Sequence, residues 1–222
     1  MRKLTLTISD MKFQYKYGFY YLYTFLSVLY ICIVQIMAKD FKDITAQLLV
    51  FTDPATIGIF FMGAIVLLEK SQRILPSLIV SPIKFSDYLF GKVMSFAFIS
   101  VISAIAILFF SPSGIGVVSI ITIALGSLFF SVLGMIAALN SRSMNEYLML
   151  STIFEIIFCL PGVLYIFNIA EKYLFFTPAA VIVQGMRNKP ASIFYMIIWN
   201  TLLILITYKY MNKKYRKIGG AR

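Results

Sequence analysis

Of the 222 residues, 60% are hydrophobic and only 13% charged, and the mean hydropathy is +0.89. A soluble domain of this length could not hide so much apolar surface, so a bilayer is the expected solvent. The formal charge of +11 then marks loops on one side of a membrane rather than a nucleic-acid surface.

Residue inventory narrows the chemistry further. The chain has no histidine, which excludes zinc proteases of the HExxH kind, Ser-His hydrolases and His-dependent phosphatases. Its two cysteines, Cys32 and Cys159, both fall in apolar segments. They exclude a disulfide framework and are too few for a metal site.

The pattern predicts an all-α polytopic membrane protein forming one transmembrane domain over 1–222. Arg2 and Lys3 are followed by polar residues rather than an apolar run, so no cleavable signal is expected. Leu4, Ile8, Met11 and Tyr15 recur at helical spacing, which fits an amphipathic interfacial helix over 1–16; a frayed basic tail is the alternative. The first span is expected at 17–38. A short apolar piece, 44–51, is expected at the outer interface. Thr52-Asp53-Pro54 reads as a capped helix start with proline at the first position, opening a second span at 54–68.

Residues 69–86 form a cytoplasmic connector that is half apolar and half charged. Glu69, Lys70 and Arg73 end the second span, Leu78 lies in an apolar run, and Ser81-Pro82 with Lys84 turns the chain back. Such a composition suits a short helix docked on protein; an interfacial helix with snorkelling lysines is the alternative. Ser86 is expected to cap the third span, 87–110, with Asp87 favourable at the positive end of its dipole.

Ser111-Pro112-Ser113-Gly114 is a tight turn into the fourth span, 115–139. There the pairs Ser127/Ser131 and Gly134/Ala138 permit close helix packing, within the chain or across a dimer. The fifth span, 147–167, carries Glu155, read as the one acid well inside a span. It is either a cavity-facing group for substrate or proton, or a neutral or paired structural residue. Pro161 and Gly162 should kink this helix, as a hinge near an outer gate or simply to fit its neighbours. Residues 177–186 are too short to cross and too apolar for a free loop, so a re-entrant or interfacial helix is expected, with Thr177 as cap and Pro178 in its first turn. The sixth span is expected at 191–208.

With the N-terminus inside, only Lys39, Lys42, Lys172, Arg187 and Lys189 of the 20 basic residues lie outside, which favours both termini in the cytoplasm of a cell-membrane protein. Gly58 and Gly63 have phosphate-loop spacing, but Ala64 and Ile65 stand where Lys and Ser/Thr are needed. Energy for any transport must therefore come from a partner or an ion gradient.

Glu69, the Ser81-Pro82 turn, Tyr88-Leu89 and Gly91-Lys92 together resemble the loop after span two in membrane subunits of ABC-2 type ABC transporters. "MKFQYKYGFYYLY" over 11–23 resembles the lead-in of short stand-alone drug- or fluoroquinolone-export permeases. The resemblance implies an exporter of a hydrophobic or amphipathic small molecule, peptide or lipid. It implies a second permease chain, identical or not, and separate ATPase subunits that carry ATP and Mg, with no cofactor and no catalytic residue on this chain. It implies ATPase coupling at Glu69, Lys70, Arg73, Leu78, Ser81, Pro82 and Lys84. Phe60, Phe61, Glu155 and Phe158 would be pathway candidates. The main rival is an ion-coupled secondary transporter using Glu155.

Overall fold

The computed structural model describes residues 2–72, 74, 83–112 and 114–218, and the described residues form helices and turns with no strand. The helices are α1 (Arg2–Lys16), α2 (Phe19–Ile36), α3 (Lys39–Val50), α4 (Ile57–Ser71), α5 (Phe85–Leu108), α6 (Val117–Asn140), α7 (Met144–Ile166), α8 (Glu171–Leu174), α9 (Pro178–Met186) and α10 (Ala191–Ile218). Six helical stretches among the described residues are long and apolar enough to cross a membrane: α2, the run Lys39–Ser71, α5, α6, α7 and Ala191–Lys214 of α10. At about 1.5 Å per residue, the 28 residues of α10 exceed the hydrocarbon thickness, so its basic last turns project beyond it.

The α1 helix meets α2 at Gly18, whose φ of 82° lies in the left-handed region that glycine enters freely. The expected stripe on α1 faces away from the protein: Leu4, Ile8 and Tyr15 are exposed. The opposite face, with Asp10 and Gln14, is buried against α5. That is the disposition of a helix lying in an interface, apolar side to lipid and polar side to protein.

The second span departs from expectation. No helix starts at Thr52-Asp53-Pro54. Instead α3 continues through a π-helical turn, Phe51–Ala55, into α4. Proline is tolerated here because hydroxyls satisfy the neighbouring backbone: Thr56 donates to the Thr52 carbonyl at 2.9 Å, and Ser100 of α5 donates to the carbonyl of Pro54. The stretch 44–51 is likewise no surface piece, since Ala46, Val50 and Phe51 are fully buried in the core. Ser86 does not cap α5; Lys84 occupies that position and Ser86 is in the first turn, followed by Asp87. The extended backbone of Lys84 already ends the connector, so the helix begins two residues early.

The α6 helix is the hub, packing on α4, α5, α9 and α10. Its small residues act within the chain. A side chain at Gly58 of α4 would strike Ser131, and one at Gly134 would strike the carbonyl of Gly58, so the two helices nearly touch at the backbone. In lipid this closeness, rather than escape from water, is what holds helices together. Tyr147 of α7 covers Gly63 and donates its hydroxyl to the carbonyls of Ile59 and Phe60.

Every residue of α9 is buried, enclosed by α6, α7 and α10. Thr177 precedes it and Pro178 takes the first position, as the sequence suggests. The Thr177 hydroxyl turns back to the Leu174 carbonyl at 2.8 Å instead of capping the helix. Arg187 closes the opposite end with bonds to Gln47, Asn168 and the Ile166 carbonyl.

Candidate coupling site

Three charged side chains from three elements meet on the face that carries the N-terminus. Lys92, on the second turn of α5, places its Nζ 2.8 Å from Asp10 Oδ1 of α1 and 2.8 Å from Glu69 Oε1 at the end of α4. The lysine side chain is 3% exposed and both carboxylates 8%. Burial on this scale is unfavourable for any lone ion, and two anions around one cation offset it only if the other oxygens are also bonded. They are. Tyr88 donates to Glu69 Oε2 at 2.7 Å; Gln14 donates to Asp10 Oδ2 at 2.9 Å, and Ser95 donates to the same oxygen. The Lys92 ammonium also lies 5.2 Å from the Tyr88 ring centroid.

The local folding that builds this cluster is legible residue by residue. Asp10 and Gln14 share one face of α1 at i, i+4; Tyr88, Lys92 and Ser95 share one face of α5. Gly91 lets α1 approach, since a side chain there would meet Leu6 at 3.1 Å. A cavity of about 160 Å³ lies against the cluster, bounded by Leu6, Phe13, Glu69, Ile74 and Lys92.

The sequence-predicted residues divide around this cluster. Glu69 is turned inward, not toward a partner's groove. Lys70 is also engaged: its ammonium caps the end of α6 through the carbonyls of Ala138 at 2.7 Å and Ser141 at 3.0 Å. Both side chains are thus held by bonds within the chain. Lys84 is exposed at the start of α5. Arg73, Leu78, Ser81 and Pro82 lie outside the described residues. Sequence reasoning missed Asp10 and Lys92 as partners. The available signal was a lysine inside an otherwise apolar helix, which calls for a counter-charge.

Beside the cluster, a larger cavity of about 710 Å³ opens between the end of α4 and the start of α7. Leu67, Leu68 and Met144 line it, with Lys70 and Arg142 as its cations. Of the pathway candidates, Phe61 packs edge-on to Phe19 and Tyr23 of α2, and Phe158 edge-on to Phe129 of α6. Phe60 is half-buried beside the core. Glu155 is half-buried on α7. Pro161 and Gly162 lie inside an unbroken α7, where Gly162 is covered by Phe51 and Ala179.

Glu155 is not the one acid within a span. Asp53 sits in the π-helical turn, with Tyr30 as its hydrogen-bonding neighbour and Oδ2 buried without a partner among the described residues. Cys32 and Cys159 are both free thiols.

Six apolar spans and an interfacial N-terminal helix define a multi-pass membrane protein. Residues 2–217 match the model of the fluoroquinolones export permease protein family, and the chain belongs to that family. It is similar to fluoroquinolones export permease proteins of two Mycobacterium tuberculosis strains, 23% identical over 147 residues. The matched region covers 65% of this chain and 62% of each relative. No solved structure matches the chain.

Proposed function

We propose that this chain is the permease subunit of an ATP-driven ABC-2 type exporter. Two permease chains would form the pathway in the cell membrane with both termini cytoplasmic. Separate ATPase subunits holding ATP and Mg would dock under the connector between α4 and α5. The cargo class is an amphipathic aromatic drug, as the names of the mycobacterial relatives suggest.

The observation that carries this reading is the Asp10–Lys92–Glu69 cluster. It ties both ends of the connector to each other and to α1. A displacement imposed on the connector would be delivered together to α4, α5 and the interfacial helix. Exposed Lys84 would add little binding energy by itself, so shape and apolar contact would dominate docking. ATP must favour one arrangement of the pair by a few kcal/mol for the populations to switch.

The chain's own groups have a different task from the ATPase. The 710 Å³ cavity between α4 and α7 offers apolar walls and the exposed Arg142, suited to an amphiphile bearing a carboxylate. A second reading, ion-coupled transport, gains from the presence of two acids in spans, Asp53 and Glu155. Transport of a fluoroquinolone into inverted vesicles separates the two. Uptake that needs ATP and the co-expressed ATPase, and survives collapse of the proton gradient, supports the exporter; uptake driven by the gradient alone rejects it.

A further inference from the structure

The α10 helix runs unbroken from Ala191 to Ile218 and carries no acidic residue, while Lys209, Lys213, Lys214, Arg216 and Lys217 crowd its last turns. From Ala191 to Tyr208 it rises about 26 Å, close to a hydrocarbon core of about 30 Å, so Lys209 is the first residue at the polar boundary. Tyr208 and Tyr210 flank it, both exposed, as amphipathic rings at headgroup level are.

The shape of the helix decides what lies against these charges. Leu202, Leu205, Ile206, Lys209, Lys213 and Lys217 fall on one side at 3.6 residues per turn, and all are exposed, Leu205 and Ile206 by 71% and 75%. The opposite side, with Met196, Asn200 and Met211, is buried against the protein. Exposed leucine and isoleucine within a span face acyl chains. The next groups along that face are the headgroups of the same lipids. Charge that served only to orient the chain would not need to share the lipid-facing side. Depth agrees. Lys209 to Lys217 rises about 12 Å, against a headgroup layer of about 5–8 Å and a screening length of about 8–10 Å. Lys209 and Lys213 therefore lie among headgroups, and Lys217 within screening reach of them.

We propose that the stripe Lys209, Lys213 and Lys217 binds anionic phospholipid in the leaflet on the C-terminal side. The ammonium groups pair with phosphates that no choline neutralises, while Leu205 and Ile206 lie along the acyl chains. Tyr210 donates to Asn140 at the end of α6, and Lys70 of α4 caps that same end. Lipid held on the stripe thus fixes the depth of a junction shared by α4, α6 and α10, whatever drives transport.

The test uses the full chain reconstituted alone into dioleoyl phosphatidylcholine vesicles. Leu205→Trp places a fluorescent reporter on the stripe, and the signal of native Trp199 is measured in the parent chain and subtracted. Brominated phosphatidylglycerol is compared with brominated phosphatidylcholine as quencher. The anionic lipid is expected to bind beside the reporter at least roughly fivefold more strongly, the worth of one lysine near a charged surface. That preference should fall to parity in the variant Lys209→Gln, Lys213→Gln, Lys217→Gln, and in about 0.5 M salt without any lysine substitution. Lys39→Gln with Lys172→Gln, away from the stripe, should keep it. Unchanged gel-filtration profiles show that each variant is folded. Equal quenching by the two lipids at low salt, or a preference that survives both the lysine substitutions and the salt, would overturn the proposal. So would a reporter without lipid preference in a chain whose co-purified ATPase is released by the three lysine substitutions, which would give the stripe to that protein.

Discussion

Replacing Lys92 by methionine keeps an unbranched side chain, one heavy atom shorter, and removes its charge. In the native chain that charge has two carboxylates at 2.8 Å, each 8% exposed. Removing one member of a buried ion cluster leaves uncompensated charge and typically costs about 3–5 kcal/mol. Here Asp10 and Glu69 would face each other across the gap, which places the cost at the upper end of that range. For a chain of this length about 1 kcal/mol moves a midpoint by roughly 2–4 °C, so Lys92→Met should unfold roughly 10–20 °C lower in detergent. The triple variant Asp10→Asn, Glu69→Gln, Lys92→Met buries no charge. It should recover most of that loss, because replacing a whole buried cluster is often neutral. Hydrogen exchange gives the spatial readout: α1 amides lose protection in the single variant and keep more of it in the triple. A single variant within about 2 °C of wild type, with α1 equally protected, would refute the argument that the cluster holds α1 to α4 and α5.

Other perturbations probe other contacts. Gly63→Ala drives a methyl into the fully buried Tyr147 ring and should cost about 1–3 kcal/mol of overpacking, read as a lowered midpoint; Gly63→Ala with Tyr147→Leu should regain part of it. Arg187→Ala severs bonds to Gln47, Asn168 and the Ile166 carbonyl and should cost about 1–3 kcal/mol, with faster exchange at the end of α9 as the readout. Glu155→Gln should alter transport in vesicles with the midpoint unchanged, since Glu155 is half-buried and makes no salt bridge among the described residues. Wild-type transport in that variant would leave Glu155 a structural residue.

The span pattern was readable because it depends on local hydropathy and length, which six apolar runs carry plainly. The buried α9 was readable for the same reason: Pro178 starts it and its nine residues are too few to cross. The misread places are those where tertiary contacts override a local signal. Pro54 follows an Asp, as at a helix start, yet the chain runs through it because Thr56 and Ser100 supply hydrogen bonds from elsewhere. Asp10, Glu69 and Lys92 each read as a surface charge within its own segment. Their partnership spans 82 and 23 residues of sequence, a distance over which periodicity carries nothing. Asp53 was hidden behind the same misplaced helix start.

Co-purification is the most direct test of the docking claim. The chain, tagged at its C-terminus, is extracted in mild detergent and its associated proteins identified and quantified. The account predicts a stoichiometric ATPase with a phosphate-binding loop, reduced when Arg73 and Lys84 are reversed to glutamate and the membrane fold remains intact by hydrogen exchange. An ATPase held equally well by the reversed variant, or a lone chain in every mild detergent, would contradict docking at this connector.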